Sequence, residues 1–292
     1  PVRIPAPNSV RTSSRLPYRS QNRQELYDDE EDLLEIALAL KQDRFDPDVL
    51  VLQEAASQQS LERFNTKWLD DKYAFVKQYK SNSKGQWTAI LAKPGFKVIE
   101  TRSYAGVEDP VDDPKLGDAK RYYGENVLYP RGPAFAQIRT PDGTVMWIGT
   151  THIKSKYGNN AAVTRWRIRQ VKKLREIASE LGEDTKRVAI LGDFNDTFGR
   201  DNFEQKVDQD AIQAMLEHKE DQAMVSPTQS LAQDQPTAGT YHATLKPGNP
   251  SFIDHVFVSP ALDEAIIDTT IIDPPIAHVA SDHLPVMITV DP

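Results

Sequence analysis

The chain has 292 residues, no cysteine, and 35 lysines and arginines against 43 aspartates and glutamates, for a formal charge of −8. These numbers exclude a disulfide framework, a thiolate nucleophile and any cysteine-based zinc or iron–sulfur site. No apolar run approaches the ~18–20 residues that cross a bilayer, so no membrane span is expected, and the acidic balance argues against binding nucleic acid by bulk charge.

A hydrophobic fraction of 39% is enough for a folded core. Residues 1–24 are rich in Pro, Arg and Ser and read as an irregular N-terminal segment. The sequence opens on Pro1, not Met, so removal of a signal peptide, and with it a secreted or periplasmic location, is an expectation. Acids at 28–32 precede Leu33, Leu34, Ile36, Ala37, Leu38 and Leu40. Carboxylates in a first turn favour the positive end of the helix dipole, so a helix is expected to start there.

Asp46-Pro47-Asp48 breaks that helix, and Val49-Leu50-Val51-Leu52 reads as a buried strand that delivers Gln53 and Glu54. Further strands are expected over residues 87–92, 135–139 and 145–151, with Pro141-Asp142-Gly143 turning between the last two. A long helix over 159–181 carries Val163, Trp166, Val171, Leu174, Ala178 and Leu181 on one broad face, with Gly182 as its stop. Strands over 187–191, 252–258 and 284–290 follow. Helices alternate with short strands without a repeat or a linker, so one α/β domain over 1–292 fits, and the acidic stretch 106–118 reads as a surface loop.

Charged and imidazole residues recur at the strand ends, where a side chain needs a partner or has a task. Glu54 follows an apolar strand. His152 ends another, with Lys154 and Lys156 forming an anion-friendly surface beside it. Asp193 and Asn195, two apart, face the same side of an extended backbone and together could hold a water, a phosphate oxygen or a hard metal ion. Asp254 and His255 interrupt an apolar strand, so one of them points inward, and an inward Asp could orient a histidine. Asp282 and His283 precede the last strand. Each site alone has an ordinary reading as a turn or a salt bridge. Their placement at successive strand ends is where active sites collect in layered α/β folds. Between Lys154 and Arg175 the chain carries Lys154, Lys156, Arg165, Arg167, Arg169, Lys172, Lys173 and Arg175 with no acid, a run that can track phosphates or form a solvated helix face.

These pieces, in this order, resemble the endonuclease/exonuclease/phosphatase superfamily, whose members include the DNase I-like nucleases. The matching segments are Leu52-Gln53-Glu54, Thr151-His152-Ile153-Lys154-Ser155-Lys156, Leu191-Gly192-Asp193-Phe194-Asn195-Asp196, Ile253-Asp254-His255 and Ser281-Asp282-His283-Leu284-Pro285-Val286. The resemblance implies a four-layer α/β/β/α sandwich with two packed, mostly antiparallel mixed sheets. It also implies cleavage of phosphate esters dependent on Mg²⁺ or Mn²⁺, with Ca²⁺ a further candidate.

The implied roles follow residue by residue. Glu54 matches the metal-binding glutamate, with Asp282 assisting. Asp193 and Asn195 match the pair that holds the attacking water and a phosphate oxygen. His283, oriented by Asp254, matches the essential histidine, and His152 a histidine that stabilises the phosphorane or the leaving group. Arg131 sits where family nucleases often carry an arginine. Asn8 has the position of the asparagine that joins the metal network, although Pro5 and Pro7 depart from the family's opening strand because proline cannot donate ladder hydrogen bonds.

The functional expectation is a nuclease with DNA or RNA as its substrate partner and no obligate protein partner. The alternatives are a phosphatase or phospholipase-C-like enzyme acting on a small phosphate ester or a phospholipid headgroup, and a binding protein that has lost catalysis. Whether Asp193 or His283 takes the proton stays open at this level.

Overall fold

The computed structural model of the chain describes residues 30–41, 45–55, 57–81, 86–111, 116, 127–156, 161–198, 211–216, 223–234, 239–241 and 251–291. Asn8 and the segment 1–24 lie outside them. Helix α1 (Glu30–Leu40) starts within the acidic run, as the dipole argument expects. Strand β1 (Val49–Ala55) follows, then α2 (Gln58–Trp68), capped by the Ser57 side chain accepting from Ser60 N. Strands β2 (Phe75–Tyr79) and β3 (Trp87–Ala92) complete an antiparallel sheet in the order β1-β3-β2.

A second, five-stranded sheet runs β4 (Lys97–Ser103), β5 (Ala134–Arg139), β6 (Val145–His152), β7 (Val188–Asp193) and β8 (Asp254–Val258) in that order. It is mixed, because β6 and β7 pair in parallel while the other neighbours are antiparallel. Parallel neighbours need a long crossover, and α3 (Ala161–Thr185) supplies it. The short helices α4 (Ala211–Leu216) and α5 (Thr228–Asp234) precede β8. After β8 come α6 (Pro260–Asp263), β9 (Ile266–Ile271), α7 (Ala277–Ala280) and β10 (Val286–Val290), with β9 and β10 forming an antiparallel pair. The expected α/β fold with packed antiparallel and mixed sheets is the observed one. Among the described residues no helix is long and apolar enough to cross a membrane.

The period of two in β3 shows how the sheets stack. Ala89 and Leu91 face α1 and α2 through Ala37, Leu40, Leu61 and Phe64, while Ile90 faces the other sheet at Ala134, Ala136 and Ile138. Gln53 Nε2 donates across the same interface to Thr150 Oγ1 at 3.2 Å. On the far side, Trp166, Val171, Leu174 and Leu181 of α3 pack on Trp147, Val188, Ile190 and Phe257.

Helix α3 departs from expectation at its end. It passes through Gly182, whose absent side chain leaves room for Val188 Cγ2 (3.4 Å from an ideal Cβ), and stops where Lys186 turns left-handed at φ 58°. The stop is therefore set by that αL residue and not by the glycine. Gly192 has a stricter requirement. A Cβ there would lie 2.0 Å from the Thr151 carbonyl oxygen, which is backbone of the paired strand and cannot swing away.

His255 resolves half of the Asp254–His255 question. It is fully buried, donates from Nε2 to the Asp196 carbonyl at 2.7 Å, and sits among the rings of Phe194, Phe198, Phe252 and Phe257. Burial pushes its imidazole down to about 4 from 6.5. It is a histidine of the core.

Two predictions follow from this packing. Gly192→Ala is expected to cost about 1–3 kcal/mol by overpacking, read as a lowered urea midpoint; an unchanged midpoint would show that β7 moves aside freely. For His255, the folded value lies below the unfolded one, so the unfolded chain takes up the proton first. Stability therefore falls as pH drops below 6.5 and the loss is complete near 4. At ~1.4 kcal/mol per unit the group contributes about 3 kcal/mol of acid sensitivity. His255→Phe should flatten the slope of unfolding free energy between these pH values, and equal slopes in both proteins would disprove the assignment.

Candidate active site

The register of the mixed sheet lines up three of the singled-out residues. His152 pairs with Asp193 across β6–β7, and Asp193 pairs with Asp254 across β7–β8. The ends of three neighbouring strands thus set an imidazole and two carboxylates in a row.

Asp193 is buried at the centre. Its Oδ1 accepts the backbone N–H of Asn195 at 2.7 Å, its Oδ2 accepts Asn195 Nδ2 at 2.8 Å, and Oδ2 also lies 3.1 Å from His152 Nε2. Asn195 adopts φ 51°, a left-handed turn that asparagine tolerates, and its Nδ2 also donates to the Ile153 carbonyl at 3.1 Å. Burial alone would raise the Asp193 carboxyl, but His152, His283 and Arg131 together hold it below the usual range, ionised at neutral pH. The spacing of two therefore serves a hydrogen-bonded turn in which Asn195 orients Asp193.

His152 is buried, with Nε2 2.5 Å from Arg131 Nη1. The same Nε2 lies 3.1 Å from Asp193 Oδ2, so it stands between a guanidinium donor and a carboxylate acceptor. Burial and the Arg131 charge both push the imidazole below its ordinary value, against Asp193 and Glu54, which favour the charged form. Arg131 is itself buried and donates from Nη2 to the Ile153 carbonyl at 2.8 Å. It stands one residue before Gly132, whose φ of 82° lets the chain turn into β5.

His283 donates from Nδ1 to Asp254 Oδ2 at 2.8 Å. Burial would lower its pKa, but Asp254, Asp193 and Asp282 outweigh that and raise it to about 10. Asp254 is raised, by burial first and by Asp193, against the opposing pull of His283. Asp254 thus faces the site while His255 faces the core, the alternation of a strand. Asp282 is exposed.

Glu54 lies at a bulge near the end of β1, where the pairing with β3 shifts between Leu52 and Ala55. It takes φ 52° and presents an exposed carboxylate that accepts Gln86 Nε2 at 2.6 Å. Among the described residues no group of three or more His, Asp or Glu side chains could hold a metal by itself. A magnesium site does not need one: it takes one or two carboxylates and completes its shell with water and substrate phosphate. An exposed carboxylate at the strand bulge fits that donor set.

The basic run lies differently from a phosphate-tracking surface. Arg167 and Lys156 pair with buried Asp196 at 2.7 and 2.9 Å, and Arg167 Nη2 also donates to the Asn195 carbonyl at 2.8 Å. Arg169 grips Asp109 through two hydrogen bonds of 2.8 and 2.6 Å, and Arg175 donates to the Ala214 carbonyl at 2.9 Å. Lys154 is buried, with Nζ on the Ser155 carbonyl and hydroxyl at 3.1 and 3.0 Å. Burial, Arg131 and Arg167 push its ammonium down to about 8. Much of this charge neutralises the interior and holds the loops that carry the site. Asp196, which also accepts Ala211 N at 2.8 Å, and the segment Thr240–Tyr241 beside His283 were not singled out from the sequence. Asp196 reads there as one more polar turn residue, and nothing in the local pattern marks Thr240.

Comparison with known proteins bears on the fold. Solved structures that share the fold include a humanized TDP2 from D. rerio, at 16% identity over 91% of this chain and 95% of that one with a TM-score of 0.61. The catalytic domain of human Nocturnin with bound sulfate matches at 15% identity over 89% and 87%, TM-score 0.56. An endonuclease/exonuclease/phosphatase from Bacteroides vulgatus matches at 12% identity over 88% and 89%, TM-score 0.58. At these identities the likeness establishes the fold. No curated protein matches the chain. The model of the Endonuclease/Exonuclease/phosphatase family matches residues 11–283, nearly the whole sequence, and the chain belongs to that family.

Proposed function

We propose that the chain is a metal-dependent phosphodiesterase that hydrolyses nucleic acid by attack of water. The observation that carries this is the row at the strand ends: Asp193 lies in register between His152 and Asp254, and Asp254 holds the His283 ring through Nδ1. A phosphodiester is an anion that repels nucleophiles, so its hydrolysis needs an aligned water, charge neutralisation and a proton for the leaving oxygen.

In this reading Asp193, held low by its cationic neighbours, orients the attacking water, while the carboxylates around His283 favour its charged form. His283 then opposes the phosphoryl charge and donates from Nε2, its Nδ1 being engaged by Asp254. The Arg131–His152 pair adds a fixed positive edge on the other side of Asp193. Glu54, assisted by Asp282, would hold Mg²⁺ or Mn²⁺, which supplies Lewis-acid neutralisation of the phosphoryl oxygens. Enzymes of this family generally use divalent metals, and the sulfate bound to the Nocturnin domain is a tetrahedral oxyanion on the same fold.

A second reading, hydrolysis of a small phosphate ester, is favoured by one observation. The basic run that would track a polymer is largely engaged with Asp196, Asp109 and backbone carbonyls. Assays with Mg²⁺ or Mn²⁺ over plasmid, linear duplex, single strand, RNA and small phosphodiesters and phosphomonoesters separate the two. Cleavage of a polymer supports the first reading, and turnover confined to small esters the second. In either case Asp193→Ala and His283→Ala are each expected to lower kcat by roughly 10²–10⁴-fold, and a chelator should abolish turnover until metal is restored. Wild type that turns over none of these substrates with either metal would sink the proposal.

A further inference from the structure

The Asp254–His283 pair joins positions 29 residues apart in the chain. A third, upstream segment ties them together. Thr240 is fully buried, and its Oγ1 accepts two consecutive backbone N–H groups, of Ile253 at 3.1 Å and of Asp254 at 3.0 Å. Its carbonyl accepts the N–H of Leu284, the residue after His283, at 2.7 Å.

Tyr241 exchanges backbone hydrogen bonds of 2.9 and 3.0 Å with Ser251 and makes a β-bridge to His283. Its ring lies against the His283 imidazole with centroids 4.9 Å apart and planes at 48°. Two consecutive residues thus hold both the carboxylate that binds the ring proton and the ring itself.

The chemistry asks for a hydroxyl at 240. A threonine oxygen has two lone pairs and one proton. Both lone pairs serve N–H groups at the start of β8, which leaves the proton for an acceptor, and Thr240 favours the ionised form of Asp254. A valine fills the same volume and can do none of this. Tyr241 is half-buried, so its ring forms part of the wall beside the exposed edge of His283.

We infer that Thr240 and Tyr241 are positioning residues of the site, Thr240 fixing the Asp254 carboxylate and Tyr241 the plane of the His283 ring, so that Nε2 is aimed at the reacting phosphate. The effect on rate rests on the phosphoesterase reading, whereas the effect on the ring does not.

The test compares wild type, Thr240→Ser, Thr240→Val and Tyr241→Ala by the Nδ1–H resonance and ring ¹⁵N shifts of His283, assigned by their loss in His283→Gln. Steady-state kinetics on the ester that the wild type cleaves form the second arm. Thr240→Ser should keep the His283 signals and most of kcat. Thr240→Val and Tyr241→Ala should shift them and lower kcat roughly 10- to 100-fold, with KM changed less than about threefold, as for a misaimed catalytic group.

Wild-type His283 signals in both variants would overturn the inference, and so would a loss of kcat with those signals unchanged, which assigns the residues to stability alone. If Thr240→Val does not fold, Tyr241→Ala decides, since its position is partly open to solvent. If no ester is cleaved, the resonance arm still decides, so failure of the functional reading and of this inference are told apart.

Discussion

A carboxylate buried at a sheet's end is tolerated only when cations and donors surround it, and Asp193 sets that requirement for the whole site. The neighbouring elements each answer part of it. The turn after β7 returns Asn195 N and Nδ2, β6 brings His152 into register, the segment before β5 brings Arg131, and the last turn brings His283. The parallel pairing of β6 and β7 sets His152 beside Asp193, and that pairing needs α3 as its crossover. The close approach of Gly192 to Thr151 is part of the same constraint, because it fixes how β7 lies against β6 where Asp193 begins.

Three residues on, Asp196 is equally deep, and its partners set it apart from Asp193. Arg167, Lys156 and the Ala211 and Thr197 N–H groups saturate it and draw in the loops after β6 and β7. Asp193 instead keeps company with two histidines, groups whose protonation can change. The net charge of −8 conceals this arrangement, since part of the positive charge lies inside, opposite acids such as Asp196 and Asp109.

The strands that carry the site were legible because a polar residue at the end of an apolar strand is an anomaly in hydropathy: β6 and β7 end in His152 and Asp193, β8 begins with Asp254, and β1 carries Glu54 beside its last residue. Strand β4 does not. Most of its residues are exposed at a sheet edge, so it lacks the alternation that marks a half-buried strand. The end of α3 was misplaced because glycine at 182 answers to packing against Val188, a tertiary contact that no local rule contains. The basic run looked like a surface because its acidic partners, Asp109 and Asp196, lie far from it in sequence. Thr240 was silent for a similar reason: its three partners belong to segments that follow it by more than ten residues.

The two histidines nearest Asp254 show where sequence reasoning stops. His255 is its neighbour in the chain, yet strand alternation turns it to the opposite face, among four phenylalanines, where burial lowers it to about 4. His283 is distant in the chain but shares its face with Asp254, Asp193 and Asp282, which raise it to about 10. The same side chain therefore sits on opposite sides of neutrality, and no composition or spacing assigns the two values. What assigns them is which way one strand faces. That orientation follows from the antiparallel register of β7 and β8, which sets Asp254, and through it His283, beside Asp193.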